Sequence, residues 1–296
     1  MSGASGALRV AIICDFLEEN SPSMALVPEM LLARLEAEHV ADIAPVRVRP
    51  RFVRRFTRIG STRRSWFLFN ADRLINRFVD YPLALRRIRA ACDVFHVTDH
   101  SYAHLVHHLP AARTVVTCHD VESLQCVLEP ALAPRSRPFR MMTGRIADGL
   151  RRAALVGCAS EATRREVLRH RLMPAERAIT ILNGIHPAYG PAADTEADAE
   201  AARLLGPSAG KIEILHVGST IPRKRIDVLL RVFAAMRREV PLARLVRVSG
   251  PFKAAQARIA SELGLDGVID VLPFVAPAVL AAIYRRVALV MIPSDL

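Results

Sequence analysis

A chain of 296 residues exceeds the usual size of one hydrophobic core, so two domains of about 100 to 200 residues each are expected. Hydrophobic residues make up 51% of it and charged residues 24%, which excludes a disordered chain and suits a soluble protein with substantial cores. The formal net charge of +12 is concentrated, with thirteen arginines between Arg47 and Arg89 against two acids, Asp72 and Asp80.

Five cysteines, Cys14, Cys92, Cys118, Cys126 and Cys158, are odd in number, widely spaced and mostly at the edges of apolar runs. They read as buried thiols in a reducing compartment, and neither a disulfide framework nor a zinc site is indicated. Residues 1–7 are small and polar, and the run 10–14 is far too short for a signal-peptide core. Nothing approaches the ~20 apolar residues of a spanning helix, so a cytoplasmic location is expected.

In chain order, Leu8 to Cys14 is a near-continuous apolar run ending in Asp15, the pattern of a strand buried on both faces of a parallel sheet. Met24 to Glu38 carries Leu26, Met30, Leu31 and Leu35 at helical spacing. Val40 to Val48 follows, broken by Pro45, then the basic segment, in which Trp66 to Tyr81 mixes aromatics with Arg73 and Arg77. After a helix-like Leu83 to Ala91, strand-like runs recur: Val94 to Val97, Thr114 to Thr117, Leu155 to Gly157 and Ala178 to Leu182. Alternating short strands and longer helices predict a doubly wound α/β sheet. His119, Asp120, Ser160 and Asn183 then fall at carboxyl ends of strands, where such sheets hold their ligands.

From Ile185 to Ala202 proline, alanine and acid dominate, which reads as a linker or polar lead-in. A second series begins with the strand Ile212 to Val217, the turn Gly218 to Arg225 and a helix Ile226 to Glu239. It continues with strand Arg244 to Val248, helix Ala254 to Leu263, strand Val268 to Leu272, helix Ala278 to Val287 and strand Ala288 to Ile292. A layer that ends on a strand without a covering helix reads as an unfinished domain. The turn puts backbone amides and the cations Arg223, Lys224 and Arg225 at a helix N-terminus, which favours phosphate. The spacing of a Walker loop is absent, and a solvated basic turn is the plain alternative.

Six segments in order carry a resemblance over most of residues 94–296. VTCHD (116–120) resembles a strand-end T-x-H-D, CASEAT (158–163) resembles VSEAT, and ILNGI (181–185) resembles a PNGV hinge. HVGSTIPRKRIDVLLRVF (216–233) resembles a donor-phosphate segment, LGLDGVIDVLPFV (263–275) the segment leading to a nucleobase site, and IYRRVALVMIPSD (283–295) a YRxADxxxxPS element. Together they resemble the family 4 glycosyltransferases of GT-B fold, which have two Rossmann-like domains facing a cleft. The resemblance implies an N-terminal acceptor domain over 1–185 and a partial C-terminal donor domain over 186–296. It implies retaining transfer from a UDP-, GDP- or ADP-sugar to a glycan or lipid-linked acceptor, with no metal or other cofactor required.

By the same resemblance Gly218, Ser219, Arg223, Lys224, Phe274 and Val275 would bind the donor, the two cations neutralising the departing diphosphate. His119 would sit near the transferred sugar, its alternative being a strand-end histidine hydrogen-bonded for structure. A Cys118–His119 nucleophilic pair is disfavoured because adjacent strand residues point to opposite faces. Three departures stand out. Ser219 occupies a position where the family often has arginine. The segment 15–23 lacks the glycines of the family's first loop. The acidic E-x-F-G-x-x-x-x-E motif is absent, so a C-terminally truncated chain with weak donor binding and little or no activity is expected.

For residues 47–89 three readings stand: a solvated arginine-rich surface, nucleic-acid binding, or attachment to an anionic membrane through arginines with Trp66, Phe67 and Phe69. No stacking or helix-turn-helix signature supports nucleic acid. The membrane reading would make the protein peripheral on the inner face. A non-catalytic pseudo-transferase or fragment, holding membrane or a partner through this face, is the alternative to an enzyme.

Overall fold

The computed structural model describes residues 6–57, 65–207 and 210–294. Expectations placed on Arg58, Arg63, Arg64, Asp295 and Leu296 lie outside these. The chain divides into two compact units, Met1–Gly184 and Ile185–Leu296.

In the first unit six strands, β1 (Leu8–Ile13), β2 (Ile43–Val48), β3 (Val94–Val97), β4 (Thr114–Cys118), β5 (Leu155–Cys158) and β6 (Ala178–Thr180), form a parallel sheet in the order β2-β1-β3-β4-β5-β6. Its helices are α1 (Pro22–Glu38), α2 (Ser65–Ile75), α3 (Tyr81–Ile88), α4 (Gln125–Leu128), α5 (Arg137–Arg152) and α6 (Glu161–Arg169). The unbroken apolar run of β1 has a direct cause. Ala11 and Ile13 belong to one core layer and Val10, Ile12 and Cys14 to the opposite layer beneath Leu32 of α1, so both faces of the strand are covered.

Proline does not break the second run. Pro45 lies inside β2, opposite Val10, because β2 is an edge strand, where a missing N–H costs no ladder bond. The hydroxyl of buried Tyr81 lies 2.8 Å from Cys14 O and 2.7 Å from Val48 O, tying the ends of β1 and β2 to α3. Phe16, in the glycine-free loop after β1, packs edge-on to Phe52 and Tyr81 at 5.3 and 5.2 Å.

Part of the basic segment is paired with acids inside the fold, through Arg47, Arg49, Arg55, Arg73 and Arg77. Buried Asp72 accepts from the amides of Arg55, Phe56 and Thr57 and from the Thr57 hydroxyl, and Asp80 makes a two-point pair with Arg55 at 2.7 and 2.8 Å. Arg47 and Arg49 share Glu29 of α1. Arg73 and Arg77 both stand 3.5 Å from Glu19, and Arg77 lies 4.0 Å above the Tyr102 ring. Glu19 and Glu29 come from outside the segment, so a local charge count could not find them. Phe69 is stacked on Phe52 at 5.8 Å, which removes it from the exposed aromatics. Trp66 and Phe67 remain 75% and 74% exposed.

In the second unit β7 (Ile212–Val217), β8 (Ala243–Val248), β9 (Ile269–Leu272) and β10 (Leu289–Val290) form a parallel sheet ordered β10-β7-β8-β9. Its helices are α7 (Thr195–Leu205), α8 (Ile226–Glu239), α9 (Ala254–Glu262) and α10 (Pro277–Arg286). Helix α7 replaces the expected linker. Asp194 caps it by accepting from Ala197 N at 3.1 Å, and Ala197, Ala201 and Leu205, spaced four apart, bury one stripe in the core that also holds Ala282 and Ile283 of α10. Leu215, Val246, Val248 and Leu272 face that layer. Ile214, Ala243 and Leu245 face the opposite layer, which holds Leu229, Leu230 and Phe233 of α8 and Ala260 of α9. His216 and Arg247 are register partners and continue this second face toward the carboxyl ends of their strands.

Candidate functional site

In the first unit the carboxyl ends of β1, β3, β4 and β5 carry a connected polar cluster. Asp99, after β3, accepts from Ser101 N at 2.7 Å and from the Ser101 hydroxyl at 2.9 Å. His100 Nδ1 stands 3.4 Å from it. Buried Asp15, after β1, has its pKa raised by burial first, then by the charge of Asp99 and a hydrogen bond between the two carboxyls. The two acids therefore share one proton, held on Asp15, while Asp99 keeps the charge.

His119 Nε2 lies 3.0 Å from Thr98 O, so this nitrogen carries the proton and Nδ1 is left as an acceptor. The His119 carbonyl accepts from the Thr163 hydroxyl at 3.0 Å, and Ser160 caps α6 by accepting from Thr163 N at 3.0 Å. His119 is thus fixed from both ends. Cys118 donates to Asp120 O at 3.2 Å, and burial, then Cys158, pushes its pKa well above the usual thiol range. It is a structural thiol. All five cysteines are free and buried.

In the second unit β7 ends at Val217 and α8 begins at Ile226, with the short 3-10 turn Pro222–Lys224 between them. The turn's carbonyls are held back: Gly218 O accepts from Arg247 Nη2 at 3.1 Å and Thr220 O from Gln256 Nε2 at 3.3 Å. The amides of Ser219, Thr220 and Ile221 donate to no acceptor among the described residues. Exposed Ser219 and half-buried Arg223 and Lys224 border these amides. A Cβ at Gly218 would stand 3.3 Å from His216 Cε1 and 3.7 Å from Lys224 Cδ, so glycine lets the strand end lie between imidazole and ammonium stem. Arg225 takes the left-handed conformation, φ 43°, and pairs with Asp227 at 3.2 Å.

Beneath the turn, His216 is buried, its Nδ1 has no partner, and its pKa is lowered to about 4 by burial first, then by Arg247 and Lys224. Phe274 and Val275 follow β9 and lie two strands from β7 along the same sheet edge. Phe274 is exposed, and Val275 packs on the α10 layer. His216 and Arg247 were not among the sequence candidates. The available signal was an arginine and a histidine inside otherwise apolar strand runs. Among the described residues no cluster of three or more His, Cys, Asp or Glu side chains is placed to hold a metal.

Residues 31–189 match the model of Glycosyltransferase Family 4. The chain belongs to this family. A segment of 106 residues, 33% of this chain, is 37% identical to a D-inositol 3-phosphate glycosyltransferase of Rhodococcus erythropolis and spans 24% of that relative. Among solved structures, HepE of Anabaena in complex with UDP and glucose is similar with a TM-score of 0.63 at 14% identity, over 97% of this chain and 74% of that one. Sucrose-phosphate synthase from Thermosynechococcus elongatus matches with 0.63 at 16% identity, over 97% and 76%. The catalytic domain of starch synthase IV from Arabidopsis thaliana bound to ADP and acarbose matches with 0.62 at 17%, over 98% and 78%. These likenesses establish the GT-B fold, as the ordered motifs of this family 4 chain led one to expect.

The shared proton in the first unit gives an asymmetric test. An acid whose folded pKa is raised contributes a stability that declines as pH rises from the unfolded value of about 3.9 toward the folded value. Asp15→Asn, which mimics the protonated acid, should leave the thermal midpoint at pH 7 unchanged or higher and flatten that decline. Asp99→Asn, which removes the charged acceptor of two Ser101 bonds, should lower it. Equal losses in thermal melts from pH 4 to 8 would contradict the assignment.

Proposed function

We propose that the Gly218–Arg225 turn receives the diphosphate of a nucleotide-sugar and that the chain serves retaining glycosyl transfer to a glycan or lipid-linked acceptor. The observation that carries this reading is the set of three unengaged amides between β7 and α8, bordered by Arg223 and Lys224. Such amides attract anions, and the positive end of the α8 dipole adds to them. In transfer the negative charge on the departing diphosphate grows, so fixed cations there stabilise the transition state more than the ground state. No metal is needed in this scheme, because Arg223 and Lys224 supply the neutralising charge. UDP-, GDP- and ADP-sugars all present the same diphosphate. Phe274 and Val275 would border the base.

The second unit then holds the donor and the first the acceptor. His119, proton fixed toward Thr98 O, would offer Nδ1 as an acceptor near the transferred sugar. The family supports a transferase, and solved proteins of the same fold hold UDP or ADP. Calorimetric titration of the chain with UDP, ADP and GDP is expected to give binding for at least one, and hydrolysis or transfer of the matching nucleotide-sugar should follow. Lys224→Met should weaken binding about tenfold or more, the worth of one charge-assisted hydrogen bond. Failure of all three nucleotides to bind would rule the reading out.

A second reading, non-catalytic attachment to a membrane surface, draws on Trp66 and Phe67, adjacent and exposed at the start of α2. Exposed Arg51, Arg54, Arg86, Arg87 and Arg89 lie in the same basic segment. Interfacial aromatics with cations suit anionic headgroups, and no helix among the described residues is long and apolar enough to cross a membrane. Co-sedimentation with phosphatidylserine vesicles should fall several-fold in the Trp66→Ser, Phe67→Ser double variant. Unchanged sedimentation would remove these residues from any membrane contact.

A further inference from the structure

The second unit contains a cation that its own fold does not neutralise. Arg247 is fully buried, its relative exposure being 0%. One nitrogen, Nη2, donates to Gly218 O at 3.1 Å, whereas Nε and Nη1 have no partner. The ring of Phe252, 5.0 Å from Cζ, supplies the remaining compensation. Two other arginines that leave water meet acids. Buried Arg77 stands beside Glu19, and mostly buried Arg286 grips buried Glu213 at 2.6 and 2.7 Å. No carboxylate among the described residues pairs with Arg247, and burial alone lowers its pKa.

A buried, unpaired guanidinium is costly, and its position says what would repay the cost. Arg247 lies beside His216 across the β7–β8 register. It holds the carbonyl of Gly218 and sits on the sheet face that α8 covers. His216 is neutral near pH 7 and Ser219 brings no charge to the strand end. The positive potential from below therefore comes from Arg247, in a low-dielectric setting where a charge acts strongly on a nearby anion.

We propose that Arg247 is a positioning residue for a bound diphosphate: it turns the Gly218 carbonyl inward, keeps the Ser219–Ile221 amides outward, and presents an uncompensated buried charge that only an incoming anion neutralises. This deepens the donor-diphosphate reading of the turn and rests on it. Arg247 does not touch the ligand. It trades stability of the empty protein for affinity.

The test compares the wild-type chain with Arg247→Met and Arg247→Lys by thermal unfolding without ligand and by calorimetric titration with UDP, ADP, GDP and inorganic pyrophosphate. Arg247→Met is expected to melt at the wild-type temperature or above it when empty, and to bind the nucleoside diphosphate and pyrophosphate about tenfold or more weakly. Arg247→Lys, which keeps the charge, should stay within about threefold of wild type. If wild type binds and Arg247→Met binds equally well, the inference is overturned while the donor reading survives. A markedly lower melting temperature for empty Arg247→Met, or equal loss of binding in both variants, also overturns it. If wild type binds none of the four, the donor reading fails and this inference fails with it.

Discussion

Every strand in both sheets runs parallel to its neighbours, and the rest of the molecule follows from that constraint. Parallel strands need crossovers, crossovers place helices on both faces, and both faces must then be apolar. The same arrangement brings all carboxyl ends to one edge of each sheet, where loops lead into helix N-termini. Polar groups collect at or just inside that edge: Asp15, Asp99 and His119 in one unit, His216, Arg247 and Lys224 in the other.

The two edges handle buried charge in opposite ways. In the first unit the cost is met internally. Asp15 keeps a proton so that Asp99 alone is charged, and Asp99 accepts two hydrogen bonds from Ser101. Arg77 finds Glu19 and the Tyr102 ring. In the second unit the amides of Ser219, Thr220 and Ile221 and two nitrogens of buried Arg247 have no partner among the described residues. A structure optimised only for stability would replace Arg247 with a leucine or pair it with an acid. On the proposed reading, the partner of Arg247's unengaged nitrogens is the charge of a bound diphosphate.

Much of this was legible from the residues. Apolar runs such as 8–14 and 212–217 announced buried parallel strands, and helix α8 begins and ends at the residues its periodicity marks. Pro45 misled because nothing local tells an edge strand from a central one. The Asp194–Glu200 run misled because its acids mask the apolar stripe Ala197, Ala201, Leu205, which becomes a core face only against α10. The arginine-rich segment looked more unbalanced than it is, because Glu29 and Glu19, which pair with Arg47, Arg49, Arg73 and Arg77, lie earlier in the chain, outside the segment. Arg247 stayed hidden for a related reason: register with His216 and proximity to Gly218 are properties of the folded sheet.

Hydrogen–deuterium exchange with and without saturating UDP, ADP or GDP tests most directly whether the β7–α8 turn is a diphosphate site. The peptide spanning residues 218–226 contains the amides with no acceptor, and these should exchange quickly in the empty protein. Strong slowing there on nucleotide binding is the expected result. Nucleotide binding that slows exchange elsewhere and leaves 218–226 unprotected would contradict it.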